Sequence, residues 1–256
     1  MDRLIRLGAG VALFASLGAA SAAPDAPVSE TRMVDARVVR VKVDGPIDLK
    51  LKHGAVASLI IIGDKTLTAK ATTDQQGDTL TIGLEAKGFR LGRRGNGVRA
   101  ELTLPGLREV SSESVGTTEV TGFAGDEIDL KLDGAGSMKI DASYRLVNAV
   151  LGGVGSMHIQ GANMEGVDLN LNGAGYMTLR GTGKWLKANM GGLGSLDAQH
   201  FHTDSVNIDL SGLGNAAVSA RHQATLNLTG LGSVTVYGKP AKRSVSVDGL
   251  GSVSWK

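Results

Sequence analysis

LDGAGSMKI from Leu132, LGGVGSMHI from Leu151, LNGAGYMTL from Leu171 and MGGLGSLDA from Met190 are four settings of one phrase. It continues as LSGLGNAAV from Leu210, LTGLGSVTV from Leu228 and VDGLGSVSW from Val247. Each setting is an apolar residue, a variable one, Gly-x-Gly, and then apolar positions two apart. The glycine pairs are Gly134 and Gly136, Gly153 and Gly155, Gly173 and Gly175, Gly192 and Gly194, Gly212 and Gly214, Gly230 and Gly232, and Gly249 and Gly251. Successive first glycines are 19, 20, 19, 20, 18 and 19 residues apart. A fixed period near 20 is the mark of a solenoid, whose units bury their apolar faces only against their neighbours.

The residues around the glycines say what each unit is. Two positions before the first glycine stand Leu132, Leu151, Leu171, Met190, Leu210, Leu228 and Val247. Four before it are Leu130, Ala149, Leu169, Ala188, Ile208, Leu226 and Val245; six before it are apolar residues from Ile128 to Ala224, with Arg243 as the exception. The intervening positions are mostly polar, and such alternation marks a strand with one face buried. A second alternating strand follows the corner, with inward rows running from Met138 to Val253 and from Ile140 to Trp255.

Two strands, a glycine corner and a brief third side make one coil, and equivalent strands of successive coils would pair in parallel about 4.8 Å apart. The fold expected is therefore all-β, a right-handed parallel β-helix of about 19–20 residues per coil; a left-handed hexapeptide helix would need a multiple of six. Glycine at the corner is expected to supply positive φ. The residue between the glycines is apolar throughout (Ala135, Val154, Ala174, Leu193, Leu213, Leu231 and Leu250) and is expected to point into the core.

Residues 1–22 read as a secretory signal, with Arg3 and Arg6, an apolar run from Leu7 to Ala20 and a small-x-small site at Ala20-Ser21-Ala22. Removing them leaves a net charge of +1, which gives no general drive toward nucleic acid or membrane. There is no cysteine, so packing and sheet hydrogen bonds must hold the chain together. No stretch after residue 22 is long and apolar enough to span a bilayer as a helix. Residues 23–34 read as a flexible leader, and 35–256 as a single β-helix domain with irregular first coils at 35–125 and regular repeats at 126–256. Among the irregular coils, strands are expected at 38–43, 47–51, 58–62, 66–71 and 79–84, and Gly116 stands 20 residues before Gly136.

The alternating N-terminal strands, the Gly-Asp-x-Leu-x-Ile turn at Gly77 to Ile82 and the LxGxGS phrase resemble the putative auto-transporter adhesin head GIN domain family. The resemblance runs from Val38 to Trp255. It implies an exported bacterial protein, and it carries over no catalytic motif.

Several features invite chemistry. GGVGSMHIQ and GGLGSLDAQ are close to a calcium-binding nonapeptide, but Met157 and Leu196 occupy the place of the aspartate ligand. His202 and His222 each lie ten residues after a first glycine, so they are candidates to stack on adjacent coils and share a zinc ion, with His200 and Asp204 nearby. The plainer reading is exposed polar residues. Asn170, Asn189, Asp209 and Asn227 form a ladder that could accept a sugar or cation, or simply bond from coil to coil. The Gly83–Ala100 segment, with Arg90, Arg93, Arg94, Lys87 and Arg99 against Glu85, has a net charge of +4 that could hold an anionic glycan or a lipid head group, or simply be a solvated basic loop. Aromatic residues are 4% of the chain, too few to make stacking platforms for nucleic acid.

The functional reading is an exported, non-catalytic structural or binding module, in the periplasm or at the surface of a bacterium, without cofactor or metal. Its partner would be an envelope or surface glycan. One alternative is a polysaccharide-active β-helix enzyme, for which Asp168, Lys187 and Asp209 are the best carboxylate and lysine cluster. A second is an envelope scaffold that self-associates through the terminal coil edge near Val253 to Trp255.

Overall fold

The repeated rows close on one another as parallel ladders. A computed structural model describes residues 27–84 and 97–256, so the expected signal at 1–22 lies outside the described residues. The chain runs through β1 (Val28–Arg32), β2 (Arg40–Asp44), β3 (Ile47–His53), β4 (Ser58–Gly63), the one-turn helix α1 (Lys65–Thr68), β5 (Ala71–Gln76) and β6 (Thr79–Leu84). It continues through β7 (Val98–Leu104), β8 (Glu109–Ser112), β9 (Thr117–Leu132), β10 (Ser137–Leu151), β11 (Ser156–Leu171) and β12 (Ala174–Met190). Then come β13 (Leu193–Leu210), β14 (Leu213–Leu228), β15 (Leu231–Tyr237), β16 (Lys242–Val247) and β17 (Ser252–Trp255). Together they form a parallel β-solenoid of about seven turns.

From β9 to β14 each coil is a single long bent strand, and the glycine corner separates it from the next; the following coil is divided between β15 and β16. Leu151, Leu171, Met190, Leu210 and Leu228 stand in register, as do Met138, Met157, Met177, Leu196, Ala216 and Val234. All of these side chains are buried. The ladders slip where the third side begins, between Asp141 and Leu146, Gly161 and Met164, and Thr178 and Gly181. There Phe123, Tyr144, Met164 and Phe201 close the core's third wall.

The corner differs from expectation in two ways, and both have the same cause. None of the fourteen corner glycines takes the left-handed conformation; positive φ is confined to Gly45, Gly77, Gly122, Gly181 and Gly238 among the described glycines. Instead, the corners stack so closely that a Cβ on Gly192 would run into the carbonyl oxygen of Gly173, and one on Gly173 into that of Gly153. The same carbonyls accept the coil-to-coil bonds, Leu193 N–H to Gly173 O at 3.0 Å and Ala174 N–H to Gly153 O at 3.1 Å. Glycine is there for close approach. The residue between the glycines points outward, not inward: Val154 is 64% exposed, Leu193 57% and Leu250 85%. With the backbone of both glycines pressed on the coil below, the alternation leaves the middle side chain facing solvent.

The N-terminal strands join the same stack out of chain order. β2 pairs in parallel with both β6 and β8, and β3 with both β7 and β9, so the β2–β3 coil is inserted between later segments. Antiparallel strands then close this end: β4 on β7, β1 on β4, and β5 on β6. Residues 28–32, expected within a loose leader, are therefore the strand β1. Arg32 fixes it by donating to Ala71 O at 2.8 Å and Thr68 O at 3.3 Å. The strand expected at 66–71 is instead the helix α1 followed by the start of β5. Its cause is Asp64, whose Oδ1 accepts from Thr66 N at 2.8 Å as an N-cap.

Tyr144 ties the third wall to the N-terminal coils by donating to Leu107 O at 2.7 Å. Burial pushes its phenol up to about 12 from an ordinary 10.0. The unfolded chain thus releases the proton first. The stability held by the neutral phenol is complete below about pH 10 and falls as pH rises toward 12. Tyr144→Phe is expected to flatten this alkaline limb and to cost about 1 kcal/mol at neutral pH, because the Leu107 carbonyl loses its donor. Urea midpoints of both proteins across the alkaline range would check this.

Candidate binding groove

The outward faces of the second strands meet solvent, and in β9 to β12 they form a groove. The ladder register aligns Glu119, Lys139, His158 and Thr178 in one outward row. The next row out is Thr121, Asp141, Gln160 and Arg180. The row beside the corner is Thr117, Ser137, Ser156 and Tyr176, where the tyrosine takes the place that serine usually holds. That substitution raises a wall, and the resulting open depression has a volume of about 600 Å³.

The groove pairs aromatic faces with charge. The rings of His158 and Tyr176 lie 6.2 Å apart at 60°. Tyr176 OH donates to Asp197 Oδ2 at 3.3 Å, which fixes the wall. His158 Nδ1 faces Thr178 Oγ1 at 3.1 Å, so its partner is a hydroxyl and not the carboxylate that a nucleophilic relay would need. Lys139 Nζ lies 3.6 Å from Glu119 Oε1. Arg180, Asp141 and Gln160 make no side-chain hydrogen bond or ion pair among the described residues, which leaves them available to a ligand.

Partial burial holds His158 below the ordinary imidazole value, helped by the positive charges of Lys139 and Arg180. The ring is therefore neutral at neutral pH. A depressed folded value also means that its share of stability is present above an ordinary pH of 6.5 and is lost as pH falls further. An NMR titration is expected to give His158 a midpoint below that of an unfolded histidine. The midpoint should rise in an Arg180→Ala variant, because a repelling charge has gone.

The candidates drawn from sequence are distributed differently. His202 does not stack on His222. A slip between Ala198 and His202 sets it opposite Ser219, with Nδ1 3.4 Å from Ser219 Oγ. His222 is exposed, and its Nε2 lies 3.8 Å from Asp204 Oδ1. Among the described residues no three metal-ligating side chains converge. Arg90, Arg93 and Arg94 lie outside the described residues. The asparagine row bonds from coil to coil, Asn189 to Asn170 at 2.9 Å and Asn227 to Asp209 at 2.8 Å. Lys187 pairs with Asp168 at 3.2 Å, while Asp209 is engaged with Asn227, so these three do not form one cluster. The places of the calcium aspartate, Met157 and Leu196, are core.

The sequence matches the family described as "Putative auto-transporter adhesin, head GIN domain" over residues 39–240. The chain belongs to this family. No curated protein matches it. Solved structures similar to this GIN head domain include one described as a putative adhesin from Parabacteroides merdae, 18% identical, with a TM-score of 0.77 and covering 91% of this chain and 97% of that one. Another putative adhesin, from Parabacteroides distasonis, is 16% identical with a TM-score of 0.75, covering 91% of this chain and 98% of that one. A protein from the same organism described as a putative lipid binding protein is 16% identical with a TM-score of 0.74, covering 90% and 97%. At these identities the likeness shows the β-solenoid fold of the GIN head domain.

Proposed function

We propose that this GIN head domain is an exported, non-catalytic recognition module whose groove on β9–β12 holds a stretch of acidic glycan from the bacterial envelope or surface. The observation that carries the reading is the juxtaposition of the Tyr176 and His158 rings with Lys139 and the unengaged Arg180. Aromatic faces stack on the apolar face of a sugar ring, and a guanidinium recognises a carboxylate or sulfate. A stacked sheet is a rigid platform that repeats every coil, which suits an extended polymer. The signal-like residues 1–22 support export, to the periplasm or the cell surface. No helix among the described residues is long and apolar enough to cross a membrane.

The test is a binding array of acidic and neutral polysaccharides probed with the purified chain. Retention by acidic polymers is expected. Arg180→Ala should weaken it at least tenfold, the effect of losing a charge-assisted contact of about 1.5–3 kcal/mol. Tyr176→Ala should weaken it similarly. Equal binding by the variants, or retention only by neutral polymers, would reject the groove. Steady release of shortened polymer would favour an enzyme.

A further inference from the structure

The groove does not stop at β9. A second depression of about 280 Å³ lies over β3 and β7, where Asp48, Lys50, Arg99 and Thr117 line it, and it shares Glu119 and Lys139 with the first. The ladder register makes the two one surface. Lys50 stands beside Glu119, Glu119 beside Lys139, and Lys139 beside His158. In the next row out Lys52 stands beside Thr121, and Asp141, Gln160 and Arg180 follow. Lys52, Lys139 and Arg180 are exposed and Lys50 is half-buried. Asp48, two residues before Lys50, is engaged by the Thr117 N–H at 2.8 Å.

Charge in these two rows alternates by strand. β3 carries Lys50 and Lys52, β10 carries Lys139, and β12 carries Arg180. Between them β9 offers Glu119 and Thr121, and β11 offers His158 and Gln160. Cations therefore recur on every second strand, about 9.6 Å apart along the solenoid axis. We propose that a glycan lies along this axis from β3 to β12, and that the track selects chains carrying an acidic group on every second sugar. This selection rests on the groove holding an acidic glycan, as proposed above.

A β-linked pyranose advances its chain by roughly one strand spacing, so alternate sugars meet β3, β10 and β12. A carboxylate on each of those sugars finds Lys50 with Lys52, then Lys139, then Arg180. The sugars between them stand over β9 and β11. An acidic group there meets the Glu119 carboxylate and is repelled, whereas neutral hydroxyls suit Thr121 and Gln160. A short chain with two charges settles over β10–β12, where the Tyr176 and His158 rings add stacking. A third charge needs β3.

Titration calorimetry of the purified chain with oligosaccharides of hyaluronate, acidic on alternate β-linked sugars, tests this. The hexasaccharide is expected to bind at least about tenfold tighter than the tetrasaccharide, the effect of one more charge-assisted contact. Lys50→Gln combined with Lys52→Gln keeps the length of both side chains; it should remove that advantage and leave the tetrasaccharide nearly unchanged. A β-linked mannuronate hexasaccharide, acidic on every sugar, should bind more weakly than the hyaluronate hexasaccharide, and Glu119→Gln should narrow the difference between the two. A hexasaccharide no tighter than the tetrasaccharide, indifference to the β3 variant, or mannuronate bound as well as hyaluronate would overturn the track and leave the acidic-glycan reading standing. Binding of none of these oligosaccharides would overturn both.

Discussion

Gly192→Ala is expected to destabilise the solenoid by at least about 3 kcal/mol, which for a chain of this size lowers Tm by about 6–12 °C. The new methyl would have to occupy the space of the Gly173 carbonyl oxygen, with the Asn172 backbone also in contact. Neither is a flexible side-chain end that can swing away. The coils must therefore separate at the corner, and the Leu193 to Gly173 bond goes with them. Gly77 is the control. It turns between β5 and β6 at φ +62° with nothing near its missing Cβ, so alanine there should cost only about 1–2 kcal/mol of left-handed strain. If both substitutions cost the same, conformational freedom and not close stacking is the reason for the corner glycines.

The second large effect is on the third wall. Phe201 is fully buried, and its ring end sits against Gly183 of the preceding coil, where any side chain would collide with it. Phe201→Ala should cost about 3–5 kcal/mol through lost burial and a residual cavity. Because each coil contacts only its neighbours, a weakened coil in the middle of the stack uncouples the two halves. The urea transition of this variant is expected to broaden or divide in two. A sharp, merely shifted transition would mean that the stack folds as one cooperative unit despite its linear build.

Much of the fold was legible because it rests on repetition. The inward rows from Leu132 to Leu228 and from Met138 to Val234 could be read directly, since period-two alternation and a 19–20 residue step leave one way to stack them. The corner was legible as a corner but not in its mechanism. A glycine is silent about whether it serves φ or proximity until the neighbouring coil is placed. For the same reason the outward turn of Leu193 and Leu213 could not be read. The N-terminal order was hidden because β2 and β3 pair with strands on both sides that come later in the chain. His202 and His222 share an offset from their glycines, yet the ladder slips before it reaches them. The groove was missed because outward polar residues look alike on any wet sheet. Its one signal was Tyr176 in a position that elsewhere holds serine, threonine or asparagine.

Whether the groove on β9–β12 binds an acidic polymer is tested by titrating the isotope-labelled chain with a short acidic oligosaccharide, followed by NMR. Shifts confined to Lys139, His158, Tyr176, Arg180 and their immediate neighbours are expected, with no cleaved sugar after long incubation. Shifts centred on the Asp168, Lys187 and Asp209 face, or the appearance of cleaved sugar, would contradict a non-catalytic groove.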